Sequence, residues 1–136
     1  MEKYQTQLAI IGRLLVGGGF LLFGYQKLIV FGPAGTGAFL GSVYHAPAPT
    51  VAAWVAIAVE ILGGLGIVLG FKTRWVAAVL ALWCLFTAFA FHLPLGDPGN
   101  IAEVFKNMVA AGGLLYIAAY GAGPLSIDHT MGMDKA

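Results

Sequence analysis

Arg13, Lys27, Glu60 and Lys106 stand within or at the edges of long apolar runs of a 136-residue sequence. If those runs cross a bilayer, each charge costs about 2.5–3.5 kcal/mol at the centre on insertion scales, so each needs a partner or a polar cavity. At about 100° per residue, Arg13, Gly17, Gly24 and Lys27 share one small, polar helix face. Lys106, Ala110, Gly113 and Tyr120 lie within about 80° of one another, with Asn107 beside them. Glu60 shares its face with Gly63 and Gly64. Small residues let helix backbones approach closely in lipid, so these faces are expected to turn inward and gather their charges.

Depth selects the pairs. With a rise of about 1.5 Å per residue, and the spans aligned end to end, Arg13 and Glu60 differ by about 7 Å in depth, within reach of an arginine side chain. An Arg13–Glu60 ion pair is therefore expected, and a structural pair that fixes helix register is its plainest role. Lys27, His92, Lys106 and Asn107 cluster toward the outer surface, where partial hydration suits an anionic or polar ligand. With Glu60 they form the candidate ligand-binding set. Each has a plainer reading: the two lysines as snorkelling anchors near helix ends, and His92, beside Pro94, as an interfacial histidine. Trp54, Trp75 and Trp83 read as belt or packing residues, and Cys84 as inert filling.

The elements that must position these groups are four helices. Residues 8–28, 51–71, 75–93 and 104–121 are each long enough to cross a hydrocarbon core that needs about 20 residues. Between the first two, the Gly32-Pro33-Ala34-Gly35 turn precedes a stretch, 36–44, whose Phe39, Leu40, Val43 and Tyr44 share a face, as in a short interfacial helix. Lys72, Thr73 and Arg74 form a turn so short that spans two and three must be antiparallel neighbours. The cluster Asp97-Pro98-Gly99-Asn100 marks a further turn. Gly121-Ala122-Gly123-Pro124 ends span four, and a polar tail follows. One four-helix transmembrane domain over residues 1–136 is the expected organisation. Lys3, Lys72, Arg74 and Lys135 flank one side, with Arg13 nearest it, so both termini are expected in the cytoplasm.

Composition supports lipid as the solvent and excludes several chemistries. Hydrophobic residues make up 60% of the chain and charged ones only 10%, and the mean hydropathy is +0.88, well outside the range of soluble domains. The seven Lys and Arg are scattered singly, which excludes a nucleic-acid stripe. A single cysteine, Cys84, allows no intrachain disulfide, dithiol pair or cysteine metal cage. Of the three histidines, only His92 belongs to a span, so neither haem nor a metal centre is expected. The aromatic residues, 12% of the chain, would permit stacking on a quinone ring without pointing to it.

Six pieces recur in the order and spacing of a known pattern. They are Gly24-Tyr25-Gln26-Lys27-Leu28; Glu60-Ile61-Leu62-Gly63-Gly64-Leu65; Leu69-Gly70-Phe71-Lys72-Thr73-Arg74; Phe91-His92; Lys106-Asn107 followed by Gly112-Gly113-Leu114-Leu115; and Gly123-Pro124-Leu125-Ser126-Ile127-Asp128. Together they resemble the DoxX family of small bacterial inner-membrane proteins, over nearly the whole chain. The resemblance implies a four-span bundle in the cytoplasmic membrane and hints at quinone- or thiol-linked redox metabolism, without supplying a catalytic residue.

The leading expectation is an accessory or quinone-associated membrane component, at most a subunit of an oxidoreductase, that binds a small ligand or partner in its polar outer half. A proton-coupled transporter is a second class, since small multidrug exporters also combine four spans with an embedded carboxylate. Against it, the carboxylate is in span two, and the Lys/Arg asymmetry disfavours dual topology. A structural or chaperone-like protein whose charges only fix the fold is a third. The lipid bilayer, a protein partner and a second copy of the chain are the partners to be expected.

Overall fold

The computed structural model describes residues 2–93 and 98–133. Its long elements are helices, with no strand among the described residues. They run α1 (Gln5–Tyr25), α2 (Gly32–Tyr44), α3 (Pro49–Leu69), α4 (Thr73–Phe91), α5 (Pro98–Tyr120) and the single turn α6 (Ile127–Thr130). A π-helical stretch, Gln26–Val30, continues α1. Four of these helices are long and apolar enough to cross a membrane, α1 counting as Gln5–Val30 with its extension. Span one is thus longer at both ends than expected.

Glycines fix how α1 and α3 meet. A Cβ on Gly17 would lie 2.8 Å from the Val68 side chain, and one on Gly64 would lie 2.9 Å from the Gly17 carbonyl oxygen. At the other end, a Cβ on Gly24 would stand 3.3 Å from Glu60 Cβ. These close approaches hold the helices antiparallel, with residue 17 level with 67–68 and residue 24 level with 60–61. Gly63 faces the other way and receives Leu80 of α4. The inward small face of span one therefore forms as its spacing requires, whereas that of span two divides, Gly64 meeting α1 and Gly63 meeting α4. On α5 the face divides: Ala110 and Lys106 line the interior, whereas Tyr120 is 71% exposed and stacks on Tyr116.

The α3–α4 turn is as short as expected, but the more extensive interfaces are α1 with α3 and α4 with α5. The bundle is two packed pairs that share a core of Phe20, Ile67, Ala77, Leu80, Ala81, Cys84, Ala111 and Leu114. Gly70, at a φ of +67°, ends α3 in a left-handed turn. Phe71 N–H then donates to Gly66 O at 2.9 Å and Gly70 N–H to Ile67 O at 3.2 Å, the Schellman pattern.

Two local readings are corrected. The Gly32–Gly35 stretch is no turn: with Pro33 in the first turn it opens α2, because proline's fixed φ suits that position. Pro98, Gly99 and Asn100 likewise open α5, while Asp97, like Lys135, lies outside the described residues.

The polar tail folds back. Ser126 caps α6 by accepting from His129 N–H at 3.1 Å. Asp128, buried, accepts from Lys72 N–H at 2.7 Å and Thr73 N–H at 2.8 Å, capping α4 from outside its own helix. Its own N–H donates to Gly70 O at 2.9 Å. The start of α1, the α3–α4 turn and α6 thus occupy one end of the bundle, and α2 occupies the other.

Candidate functional site

The cluster at the α2 end begins with the Gly24 contact. Because α1 touches α3 there, Lys27, one turn further on, reaches Glu60. Its ammonium donates to Glu60 Oε2 at 2.8 Å and to Oε1 at 3.0 Å, and the Glu60 side chain is only 10% exposed. The π stretch that carries Lys27 is tied to α2, since Thr36 Oγ donates to Lys27 O at 3.1 Å. Widened turns of this kind are frequent at functional sites.

The expected Arg13–Glu60 pair does not form. In the α1–α3 register Arg13 lies level with Gly70, ten residues from Glu60 along α3, or about 15 Å at 1.5 Å per residue. Aligning the spans by their ends had placed them too close. Arg13 is 4% exposed and donates to Leu125 O at 2.5 Å. It binds the returning tail rather than a carboxylate of the bundle interior.

On the α5 side Lys106 pairs with Glu103, one helical turn away. Glu103 also stands 3.9 Å from His92 Nε2. Phe23 lies between the two lysines, its ring centroid 5.5 Å from the Lys27 ammonium and 4.9 Å from that of Lys106. His92 is buried. Its ring meets Tyr44 of α2 edge-on at 5.2 Å, and Tyr44 also contacts Phe39 and Phe91. Asn107 joins the same wall.

These groups surround a cavity of about 670 Å³. Phe20, Phe23, Phe39, Tyr44, Trp83 and Phe91 give it a largely apolar, aromatic wall, and the charged groups gather at one end of it. Cys84, buried in the shared core, borders it too. Among the described residues no three His, Cys, Asp or Glu side chains group as metal ligands do. Of the five candidate residues, all border the cavity, and Lys27, Glu60, Lys106 and His92 sit at its charged end. What sequence reasoning missed is Glu103, which stood in a connection of the expected topology and only joined the wall once α5 was extended to Pro98. The roles of Tyr44 and Thr36 were equally hidden, because α2 has to be seen lying across the ends of the other helices.

Four apolar helices around a cavity with paired charges define a small multi-pass membrane protein. The DoxX family model matches residues 8–93, and the chain belongs to that family. It is 32% identical to inner membrane protein YqjF of Escherichia coli K12 over 131 residues, which cover 96% of this chain and 97% of that protein. To inner membrane protein YphA of the same organism it is 34% identical, over 90% of this chain and 89% of the relative. An uncharacterized Haemophilus influenzae protein is 27% identical over 95% of this chain and 94% of its own length. No solved structure matches. With these relatives in the inner membrane and four apolar helices of spanning length, the chain is a multi-pass inner-membrane protein.

Proposed function

We propose that this DoxX-family protein is an accessory component of the inner membrane that holds a small lipophilic ligand, with the ligand's polar group at the Lys27–Glu60 and Lys106–Glu103 end of the cavity. The observation that carries this reading is the cavity itself: about 670 Å³ lies within the 300–1,000 Å³ usual for small-molecule sites, and its wall has the usual make-up of apolar surface with a few convergent polar groups. A quinone fits the aromatic wall and the lysine and histidine donors, which agrees with the redox association that the family resemblance implies. The protein then acts as a ligand-holding partner of a redox enzyme rather than as an enzyme alone.

The test is the ligand content of protein purified in mild detergent, read by mass spectrometry for the parent, Glu60→Gln and Lys106→Ala. A co-purifying lipophile that both variants lose supports the proposal. If both variants keep the parent's bound molecules and phenotype, the site has no such role. An empty cavity together with proton-coupled cation uptake in liposomes would move the protein to the transporter class.

A further inference from the structure

The cavity is not enclosed on the side between α1 and α5. Those helices touch over a short stretch only, where Gly113 faces Val16: a Cβ on Gly113 would lie 3.9 Å from a Val16 methyl. The residues of α1 that line the cavity on either side of that contact are also exposed on the bundle surface, Leu15 at 71% on the tail side and Phe23 at 42% toward the charged end. Between them Gly19 leaves a notch, since a Cβ built there meets nothing within 4 Å. Ala110, opposite on α5, is almost as small. The α2 end is different. There Tyr44 packs against His92 and Phe91, and Phe39 against Tyr44, so that aromatic rings lie across the way in from the end of the bundle.

The polar end is electrically balanced. Lys27 is matched by Glu60 and Lys106 by Glu103, so an added anion would have to compete with a carboxylate already in place. The buried His92 ring has the Asn100 side chain as a hydrogen-bonding neighbour, and its Nδ1 finds no partner of ordinary geometry among the described residues. A buried polar nitrogen of this kind favours a hydrogen-bonding ligand atom beside it.

We propose that the site takes a single-chain lipophile with an uncharged, oxygen-bearing head, and that this molecule enters sideways from the bilayer through the Gly19–Ala110 slot, its chain remaining between α1 and α5. This rests on the ligand-holding reading and adds the route and the chemical class. The head occupies the Lys27, Lys106 and His92 end. The balance of charges selects an alcohol or carbonyl over a carboxylate or phosphate.

The experiment uses the full-length protein in liposomes, with Trp54→Phe and Trp75→Phe leaving Trp83 on the cavity wall as the sole tryptophan. The lipid-phase probe is hexadecanol brominated at mid-chain, the aqueous probe is 3-bromopropanol, and the readout is quenching of Trp83. Saturable quenching by the long alcohol is expected. Gly19→Phe, which fills the slot, weakens it about tenfold. Gly18→Phe leaves it unchanged, because that Cβ also points into open space but Gly18 does not line the cavity. The brominated sixteen-carbon fatty acid, used as a control head, binds more weakly than the alcohol. If Gly19→Phe quenches like the parent while bromopropanol saturates, ligands enter from water; the lateral route is then overturned and the ligand-holding reading stands. An equal loss in Gly18→Phe, or tighter binding of the acid, also overturns the proposal. Saturation by none of the probes overturns both readings.

Discussion

Lys27 and Glu60 show how a pair of residues decides the character of the interior. Each is tolerable in an apolar bundle because the other is present, so removing one leaves an uncompensated buried charge. Lys27→Met is expected to destabilise the protein by about 3 kcal/mol, and Lys27→Met with Glu60→Leu to recover most of that, because a matched apolar pair carries no desolvation cost. Thermal unfolding of the detergent-solubilised variants measures both. Asp128 gives a prediction about pH. Burial pushes its carboxyl up, but the N–H donors of Thr73 and Lys72, together with Arg13, outweigh that and hold it below the ordinary aspartate value. A depressed folded-state pKa contributes stability that is complete above the unfolded value and is lost as pH falls through the folded one. The unfolding midpoint is therefore expected to hold steady from pH 7 to 5 and to drop below about pH 4. Asp128→Asn should weaken that drop and cost about 1 kcal/mol at neutral pH.

Among the elements, α1 and α3 depend on contact without side chains. Gly64→Val forces a side chain onto the Gly17 carbonyl and Leu21, with an expected loss of about 1–3 kcal/mol and, through the same register, a displaced Lys27. Gly112→Ala is its control. Nothing lies within 4 Å of that Cβ, so it should be neutral or stabilise by up to about 1 kcal/mol, the helix-propensity difference. Unfolding midpoints separate the two substitutions, and an unaffected Gly64→Val protein would show that the α1–α3 approach is looser than described. The α2 helix has a different dependence. Its hold on the cavity runs through Thr36 to the Lys27 carbonyl and through Tyr44 to His92, so it is an element of the site more than of the core.

At the scale of the whole molecule, the returning tail and the α3–α4 turn define one end, and α2 and the charged cavity the other. With Lys72 and Arg74 at the tail end, that end is expected in the cytoplasm by the positive-inside rule. In a Cys84→Ser background, a membrane-impermeant maleimide added to intact spheroplasts is expected to label Val43→Cys in α2 and to leave Thr130→Cys unlabelled until the membrane is permeabilised. The reverse pattern would invert the orientation, and labelling of both sites from outside would break the topology.

The four spans were legible in the chain because lipid admits only backbones that satisfy their own hydrogen bonds, so length and apolarity are sufficient to identify them. The inward glycine faces were legible too, since 100° per residue is a local property, and with them the gathering of Lys27, Glu60, His92, Lys106 and Asn107 toward a common region. Register between helices is not local. Whether Glu60 meets Arg13 or Lys27 depends on where Gly17, Gly24 and Gly64 come into contact across two chain segments. The tertiary structure decided that in favour of Lys27, sent Arg13 to the Leu125 carbonyl, and turned the last stretch of chain into the cap of α4. It also left the gap between α1 and α5, which no spacing within one helix encodes.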